Sequence, residues 1–221
     1  MAYPIVLIEL VVRSLCDVGC ALPAEGAFLF GQTRDNQASV LSAARYMIDN
    51  KLVDKILFIR SDPMSGYPGF SVWHRALCRM GVASADITGV ALKKTTSLNT
   101  LIEADALIRH CRQRKLQTIY VVASPFHQIR AFMTTITVAL KQYPDMRIYS
   151  YNGHPLSWLD PVVHSQGTTS GFRKDLIKAE FDRIRKYQCK GDLASESAIL
   201  NYLNARDLKK TGPDAVLLPV V

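Results

Sequence analysis

The stretch that most constrains the fold is the junction at residues 118–130, where an apolar run passes directly into a helix start. Thr118 to Ala123 is short and rich in β-branched and aromatic residues, which is typical of a buried strand. Ser124 is a favourable N-cap, and Pro125 suits the first helical position because an N–H there would lack a partner anyway. The sequence therefore predicts a strand that leads at once into a helix, as in a parallel α/β sheet.

Two polar side chains, His127 and Arg130, follow this turn. In an open parallel sheet, ligands bind at the carboxyl ends of strands, where free N–H groups and the helix dipole favour an anion. We interpret Arg130 as a clamp for a carboxylate or phosphate. The dipole is expected to lower the pKa of His127, leaving a neutral imidazole as the acid/base catalyst or as a hydrogen-bond partner. The alternative, a helix cap at His127 and a solvated Arg130, stays open at this point.

The remaining chain repeats this alternation of apolar runs and amphipathic helical patterns. We predict an α/β fold, a Rossmann-like three-layer αβα sandwich with a mainly parallel sheet. Residues 1–23 are predicted as an N-terminal helical extension and residues 24–190 as the Rossmann-like domain. Residues 191–221 are predicted as a C-terminal helix and an apolar tail packed on the same domain. Within the main domain, a long helix is expected over about residues 172–189, beginning after 168–171.

Loops at the carboxyl ends of these strands should meet at one edge of the sheet. Four of them, residues 31–36, 61–69, 97–100 and 124–130, are rich in polar and turn-forming residues, and a further loop follows the last strand. The catalytic candidate is His127. The ligand-binding candidates are Gly31, Gln32, Asn36, Ser61, Asp62, Ser97, Asn99, Thr100, Ser124, Arg130 and His154. Thr100 and Glu103 also fit a capping box, and this interpretation is compatible with a ligand role for the same two residues.

Charge and composition narrow the partners. The 27 lysines and arginines against 19 acidic residues give a net charge of +8, which favours anionic partners such as phosphates, nucleotides, nucleic acid or a membrane surface. Aromatic residues are not interleaved with the basic cluster at residues 109–115, so a nucleic-acid binder is the least favoured alternative. No metal-ligand spacing is present, so no metal site is predicted, and a divalent cation between Asp35, Asp62 and His127 stays open as an alternative at this point.

Compartment and assembly follow from other features. Five scattered cysteines indicate reduced thiols and a cytoplasmic protein. The apolar run at residues 5–12 is too short to span a bilayer, and we expect it to form a buried helix. The apolar C-terminal tail, residues 215–221, is expected to pack on its own domain or to mediate a homo-oligomer.

Two motifs carry a family resemblance. Residues 97–100 read Ser-Leu-Asn-Thr before a helix, and residues 124–131 read Ser-Pro-Phe-His-Gln-Ile-Arg-Ala at a strand end. With the loops after the first two strands, they resemble the YdcF-like and SanA-like family, a bacterial domain of unknown function (number 218). The resemblance covers roughly residues 24–187. It implies a Rossmann-type sandwich, S-adenosylmethionine as a candidate ligand or cofactor, and envelope integrity as a candidate role.

The chain departs from the family pattern in charge. Lys94 and Ile102 stand where the family has acidic residues, Glu103 stands in place of an asparagine, and Asp62 in place of a glycine.

Our leading hypothesis is a cytoplasmic enzyme or binder of a small anionic, nucleotide-like or S-adenosylmethionine-like metabolite. The alternatives are a non-catalytic ligand sensor or envelope-related regulatory protein, and a nucleic-acid binder. An enzyme of this kind would be a transferase or hydrolase with a histidine acid/base.

Overall fold

The computed structural model of the protein describes residues 5–20, 23–164 and 169–209. Five parallel strands form the main sheet in the order β3-β2-β1-β4-β5, and an antiparallel hairpin forms a second sheet. The strands are β1 (Gly26–Leu29), β2 (Ile56–Arg60), β3 (Ile87–Ala91), β4 (Thr118–Ala123), β5 (Arg147–Asn152), β6 (Pro161–His164) and β7 (Thr169–Phe172). The helices are α1 (Ile5–Leu15), α2 (Gln37–Asp49), α3 (Phe70–Arg79), α4 (Thr100–Arg114), α5 (Pro125–Gln142), α6 (Leu176–Cys189) and α7 (Glu196–Leu208). Short 3₁₀ turns span Ser84–Asp86 and Arg173–Asp175.

The predicted α/β class and parallel sheet are confirmed. Helices flank a sheet whose central strands β1 and β4 are fully buried, as expected for apolar strands covered on both faces. The order of the strands reverses between these two, since β1 pairs with β2 on one side and with β4 on the other. Such a switch point opens a crevice at the carboxyl ends of the two strands, which is where ligands bind in folds of this kind.

Helix α5 is the most deeply buried helix among the described residues, with no exposed position from Phe126 to Ala139. Its Gln128 is fully buried and reaches back to the sheet, where its amide accepts from the N–H of Ala123 and donates to the carbonyl of Val121 and the hydroxyl of Ser150. This side chain binds the first turn of α5 to β4 and β5. The start of α5 is therefore fixed relative to the sheet.

The two ends of the described chain pack on the β5 edge. Arg206 of α7 forms an ion pair with Asp17 at 2.6 Å, and both side chains are almost fully buried. Tyr202 donates to the carbonyl of Met146 and accepts from the N–H of Ile148. Helices α1 and α7 also contact each other, so both helices cover the same edge of the sheet.

Two expectations about individual elements were wrong. Helix α1 is not a buried helix: it buries Leu10 and Ser14, while Ile5 is 77% exposed and Val12 is 55% exposed. The predicted helix start after residues 168–171 is instead the hairpin β6–β7, and α6 begins only at Leu176. Val162 and Val163 favour an extended strand at β6. The loop after β1 holds this strand, because Thr33 donates to the carbonyl of Val163 and Asp35 accepts from its N–H. The apolar tail at 215–221 lies outside the described residues.

One negative finding concerns the helices. Across the described ranges, none of them combines the length and the apolar character needed to cross a membrane.

Candidate functional site

A cavity of about 260 Å³ lies at the switch point. All four loops expected to converge there contribute to its lining, through residues 31–33, Ser65 and Tyr67, residues 98–100, and the first turns of α5. Six of the predicted site residues line it: Gly31, Gln32, Asn99, Thr100, His127 and Arg130. The convergence that the sequence predicted is therefore present in the structure.

His127 occupies the first turn of α5, where the Ser124–Pro125 start places it over the cavity floor. It is 3% exposed, and both ring nitrogens have partners. Nδ1 lies 3.2 Å from the amide nitrogen of Gln32, and Nε2 lies 3.1 Å from the hydroxyl oxygen of Thr100. The ring is thus held between the loop after β1 and the start of α4.

The surrounding bonds select one tautomer of His127. The Gln32 amide nitrogen also donates to the carbonyl of Phe30, and its amide oxygen accepts from the hydroxyl of Ser124 at 3.1 Å. With this orientation the amide donates to Nδ1 of His127, so the ring proton is on Nε2 and is donated to Thr100. The predicted neutral imidazole agrees with a pKa held well below its usual value, but burial is the main cause and Arg130 adds to it.

The hydroxyl of Thr100 receives a second hydrogen bond, from Nη1 of Arg130 at 2.7 Å. A hydroxyl has two acceptor positions and one proton to donate. His127 and Arg130 occupy both acceptor positions, so the Thr100 proton is free for an acceptor in the cavity. Thr100 is therefore a preoriented donor.

Arg130 is not the free clamp that the sequence suggested. Its guanidinium is buried against Glu180 of α6, with Nε at 2.5 Å and Nη2 at 3.3 Å from the two carboxylate oxygens. Burial opposes ionisation of Glu180, but Arg130 and His164 together hold its pKa well below its usual value. The charge of Arg130 is thus largely compensated inside the protein.

Arg183, which also lines this cavity, forms fewer hydrogen bonds to Glu180 than Arg130 does. It donates from Nη1 to Glu180 at 2.6 Å, and its side chain remains 22% exposed at the cavity. His164 from the hairpin approaches the same carboxylate at 3.3 Å. Two guanidinium groups share one carboxylate here, so the cluster carries an excess of one positive charge. The first turns of α4 and α5 also lie at this cavity, and their dipoles add to the positive potential.

The start of α4 corrects the predicted capping box. Asn99, not Thr100, is the N-cap, and its side-chain oxygen accepts from the N–H groups of Leu101 and Ile102 at 3.0 Å each. Either residue type is a good cap, so the local pattern is ambiguous by one position. As a result, Thr100 and Glu103 are both available to the cavity.

Glu103 crosses from α4 to the loop after β1, where Oε1 accepts from the N–H of Gly31 at 2.7 Å. A β-carbon at Gly31 would lie 3.1 Å from this oxygen, so glycine permits the close approach. Burial raises the pKa of Glu103 to about 8. Near neutral pH this side chain is therefore mostly a carboxylic acid.

Several predicted ligand residues lie outside the lining and have structural contacts instead. Asn36 donates to Thr33 and accepts from Arg173, so that it joins the loop after β1 to the 3₁₀ turn that follows the hairpin. Ser124 lies behind Gln32 and orients its amide.

Four more predicted residues also lie elsewhere. Asp62 is exposed and Ser61 is partly buried, both away from the cavity. The carbonyl of Ser97 accepts from Thr95, and the ring of His154 packs edge-on against Tyr46. These four follow strand ends as expected, but their side chains do not reach the common space.

The sequence reasoning missed four residues that shape the site: Glu103, His164, Glu180 and Arg183. The last three follow the β5 strand by many residues and reach the cavity only through the hairpin and α6, which no local motif indicates. Glu103 carried a signal, since an acidic residue stands in a helix start that faces the predicted site. A capping box explains the same residue equally well, so the pattern alone does not select Glu103 as a ligand residue.

A scan of the chain against protein-family models found no match, and a search of curated proteins found no relative. Within the residues that the structure describes, no group of three or more His, Cys, Asp or Glu side chains is arranged to hold a metal ion.

Proposed function

We propose that the protein binds a small anionic metabolite in this cavity, through an oxyanion such as a phosphate or carboxylate group. The observation that carries the proposal is Arg183, whose guanidinium lies at the cavity with only one nitrogen bonded to Glu180. The free proton of Thr100 and the nearby starts of α4 and α5 add donors of the same kind. A net positive, donor-rich cavity favours a ligand whose polar atoms are acceptors.

The size of the cavity favours a ligand smaller than a nucleotide. Its volume of about 260 Å³ is below the roughly 300–1,000 Å³ common for drug-sized ligands. S-adenosylmethionine fits poorly, since it is larger and carries a sulfonium charge, whereas this cavity has a positive excess and an acid that is mostly neutral. A nucleotide-like ligand would place only its phosphate here. The YdcF-like and SanA-like resemblance remains a hypothesis about ancestry.

An acid/base enzyme is the second candidate, and the opposite pKa shifts of Glu103 and His127 favour it. Glu103 is an acid whose pKa is raised, and His127 is a base whose pKa is lowered. Pairs of titratable groups separated in this way are common in catalytic sites. His127 has a proton on Nε2 and its Nδ1 engaged, so Glu103 is the group with an open position for proton transfer.

A thermal-shift screen tests the binding proposal, because a ligand that binds only the folded state stabilises it. The compounds are small phosphate esters, dicarboxylates, nucleotides and S-adenosylmethionine, each compared with sodium chloride at equal ionic strength. We expect a phosphate ester or a dicarboxylate to stabilise the wild type and to stabilise Arg183→Ala much less. Arg185→Ala, an exposed residue of the same helix, is the matched control and should respond like the wild type.

Four results of the screen are informative. Stabilisation that is equal in Arg183→Ala and in the wild type would overturn the proposal. No stabilisation by any of these compounds would do so as well. Turnover of a stabilising compound, detected by its loss from solution, would identify an enzyme, and binding without turnover would identify a sensor.

A further inference from the structure

Among the described residues, Glu103 is the one acidic side chain that lines the cavity, and it forms no ion pair there. It is 3% exposed, and one carboxyl oxygen is occupied by the N–H of Gly31. The other oxygen, Oε2, has no hydrogen-bond partner in the described part of the chain. It is not fully enclosed by protein atoms. Since the residue lines the cavity, Oε2 is open to it.

The cations that face Glu103 from the packed elements form no direct ion pair with it. Arg130 of α5 is the cation whose charge lowers the pKa of Glu103, but its guanidinium is bonded to Glu180. Arg183 of α6 is bonded to the same carboxylate. An ionised Glu103 would therefore be a buried carboxylate without a direct ion-pair partner among the described residues.

The other titratable groups facing Glu103 are Tyr67 from the loop after β2, His127 from α5, His164 from β6 and Tyr187 from α6. The phenol of Tyr67 donates to the carbonyl of Ile59 and has a raised pKa, mainly through burial. The imidazole of His127 has a lowered pKa and is neutral. The phenol of Tyr67 and the imidazole of His127 therefore keep their charge when the solution passes from neutral to mildly alkaline pH.

We propose that Glu103 binds the ligand in its protonated form, with Oε2 donating its proton in a hydrogen bond to an oxygen of a tetrahedral oxyanion, a phosphate or sulfate group. This inference rests on the proposed function and specifies the ligand class of the same site. The donors come from α4, where Thr100 and Glu103 lie one turn apart, and from Arg183 of α6. Donors from separate directions suit a tetrahedral oxyanion better than a planar carboxylate.

Protonation of Glu103 and binding of the anion are then coupled. A bound oxyanion accepts from the protonated acid but is repelled by the carboxylate, so each favours the other. At about pH 7 most of the protein carries this proton, because the pKa of Glu103 is about 8. At about pH 9 roughly a tenth does, so the affinity for the anion is expected to fall about tenfold.

Inorganic sulfate is the probe, because it stays fully ionised over this range and any pH dependence belongs to the protein. Isothermal titration of the full chain at about pH 7 and about pH 9 measures the affinity at constant ionic strength. The test variant is Glu103→Gln, whose amide keeps an acceptor for Gly31 and a donor for the ligand but cannot ionise. We expect the wild type to weaken about tenfold at the higher pH and Glu103→Gln to bind equally at both.

The outcomes separate the two proposals. Sulfate binding by the wild type that is unchanged between the two pH values would overturn the role of Glu103 and leave the anion site standing. A pH dependence that persists in Glu103→Gln would assign it to another group and also overturn this inference. No sulfate binding by the wild type at either pH would overturn the proposed anion site itself. Unchanged wild-type affinity would overturn the inference even if Glu103→Gln does not fold.

Discussion

Removal of the Glu180 carboxylate tests the charge cluster behind the cavity. This residue is 2% exposed and contacts two guanidinium groups and an imidazole. In Glu180→Ala, Arg130 would keep its charge in a site where its side chain is 9% exposed and its carboxylate partner is gone. Breaking a buried ion pair from one side costs about 3–5 kcal/mol, because the remaining charge is uncompensated.

The expected loss of stability is large enough to measure directly. About 3–5 kcal/mol corresponds to a fall of the melting temperature of about 10 °C for a chain of this size. Urea unfolding followed by circular dichroism gives the free energy. Asp182→Ala on the same helix is the matched control, since its ion pair with Lys178 is exposed and its removal should leave the stability unchanged.

A double variant separates lost charge pairing from lost packing. Arg130→Met with Glu180→Leu removes both charges and keeps apolar volume, so it should lose less stability than Glu180→Ala alone. A free energy of unfolding for Glu180→Ala within about 1 kcal/mol of the wild type, well short of the expected loss of about 3 kcal/mol, would contradict the account. So would a double variant that is less stable than the single one.

Three further substitutions probe the supports of the site. Gln128→Ala should destabilise the fold by about 2–4 kcal/mol in urea unfolding, because it leaves buried polar groups of β4 and β5 without their partner. Asn99→Ala should cost about 1 kcal/mol in the same assay, whereas no loss would refute the assignment of Asn99 as N-cap. Glu103→Gln should become more stable than the wild type as pH rises from about 4.5 to about 8, by as much as about 5 kcal/mol. The reason is that the pKa of Glu103 is higher in the folded protein than in the unfolded chain, so the wild type loses stability as pH rises through this range and Glu103→Gln does not. Equal dependence of the unfolding free energy on pH in the two proteins would refute this.

The parts of the site that the sequence predicted are those set by local rules. A strand, an N-cap serine and a proline fix where α5 begins, so His127 and Arg130 were located by pattern alone. The convergence of loops followed from parallel strand order. Even there, the pattern is ambiguous by one residue. The capping box predicts Thr100 as the N-cap, whereas Asn99 is the N-cap and the hydroxyl of Thr100 lies at the cavity.

The parts that the sequence did not predict depend on long-range packing. Glu180 is 50 residues from Arg130, and nothing near either residue indicates that they pair. The pattern near residues 168–171 predicts a helix start where strand β7 lies, so it does not bring His164 and the helix that carries Arg183 to the site. The pKa of Glu103 depends on burial under the loop after β1, which no spacing in the sequence conveys.

The most direct measurement is the position of a bound oxyanion. A crystal of the full chain soaked in selenate, with the anomalous signal of selenium recorded, locates the anion without reference to any assay. The account predicts one site in the cavity, within hydrogen-bonding distance of Arg183 and Thr100, that is lost in Arg183→Ala and kept in Arg185→Ala. Selenate bound only elsewhere on the protein, or bound in this cavity equally in Arg183→Ala, would contradict it.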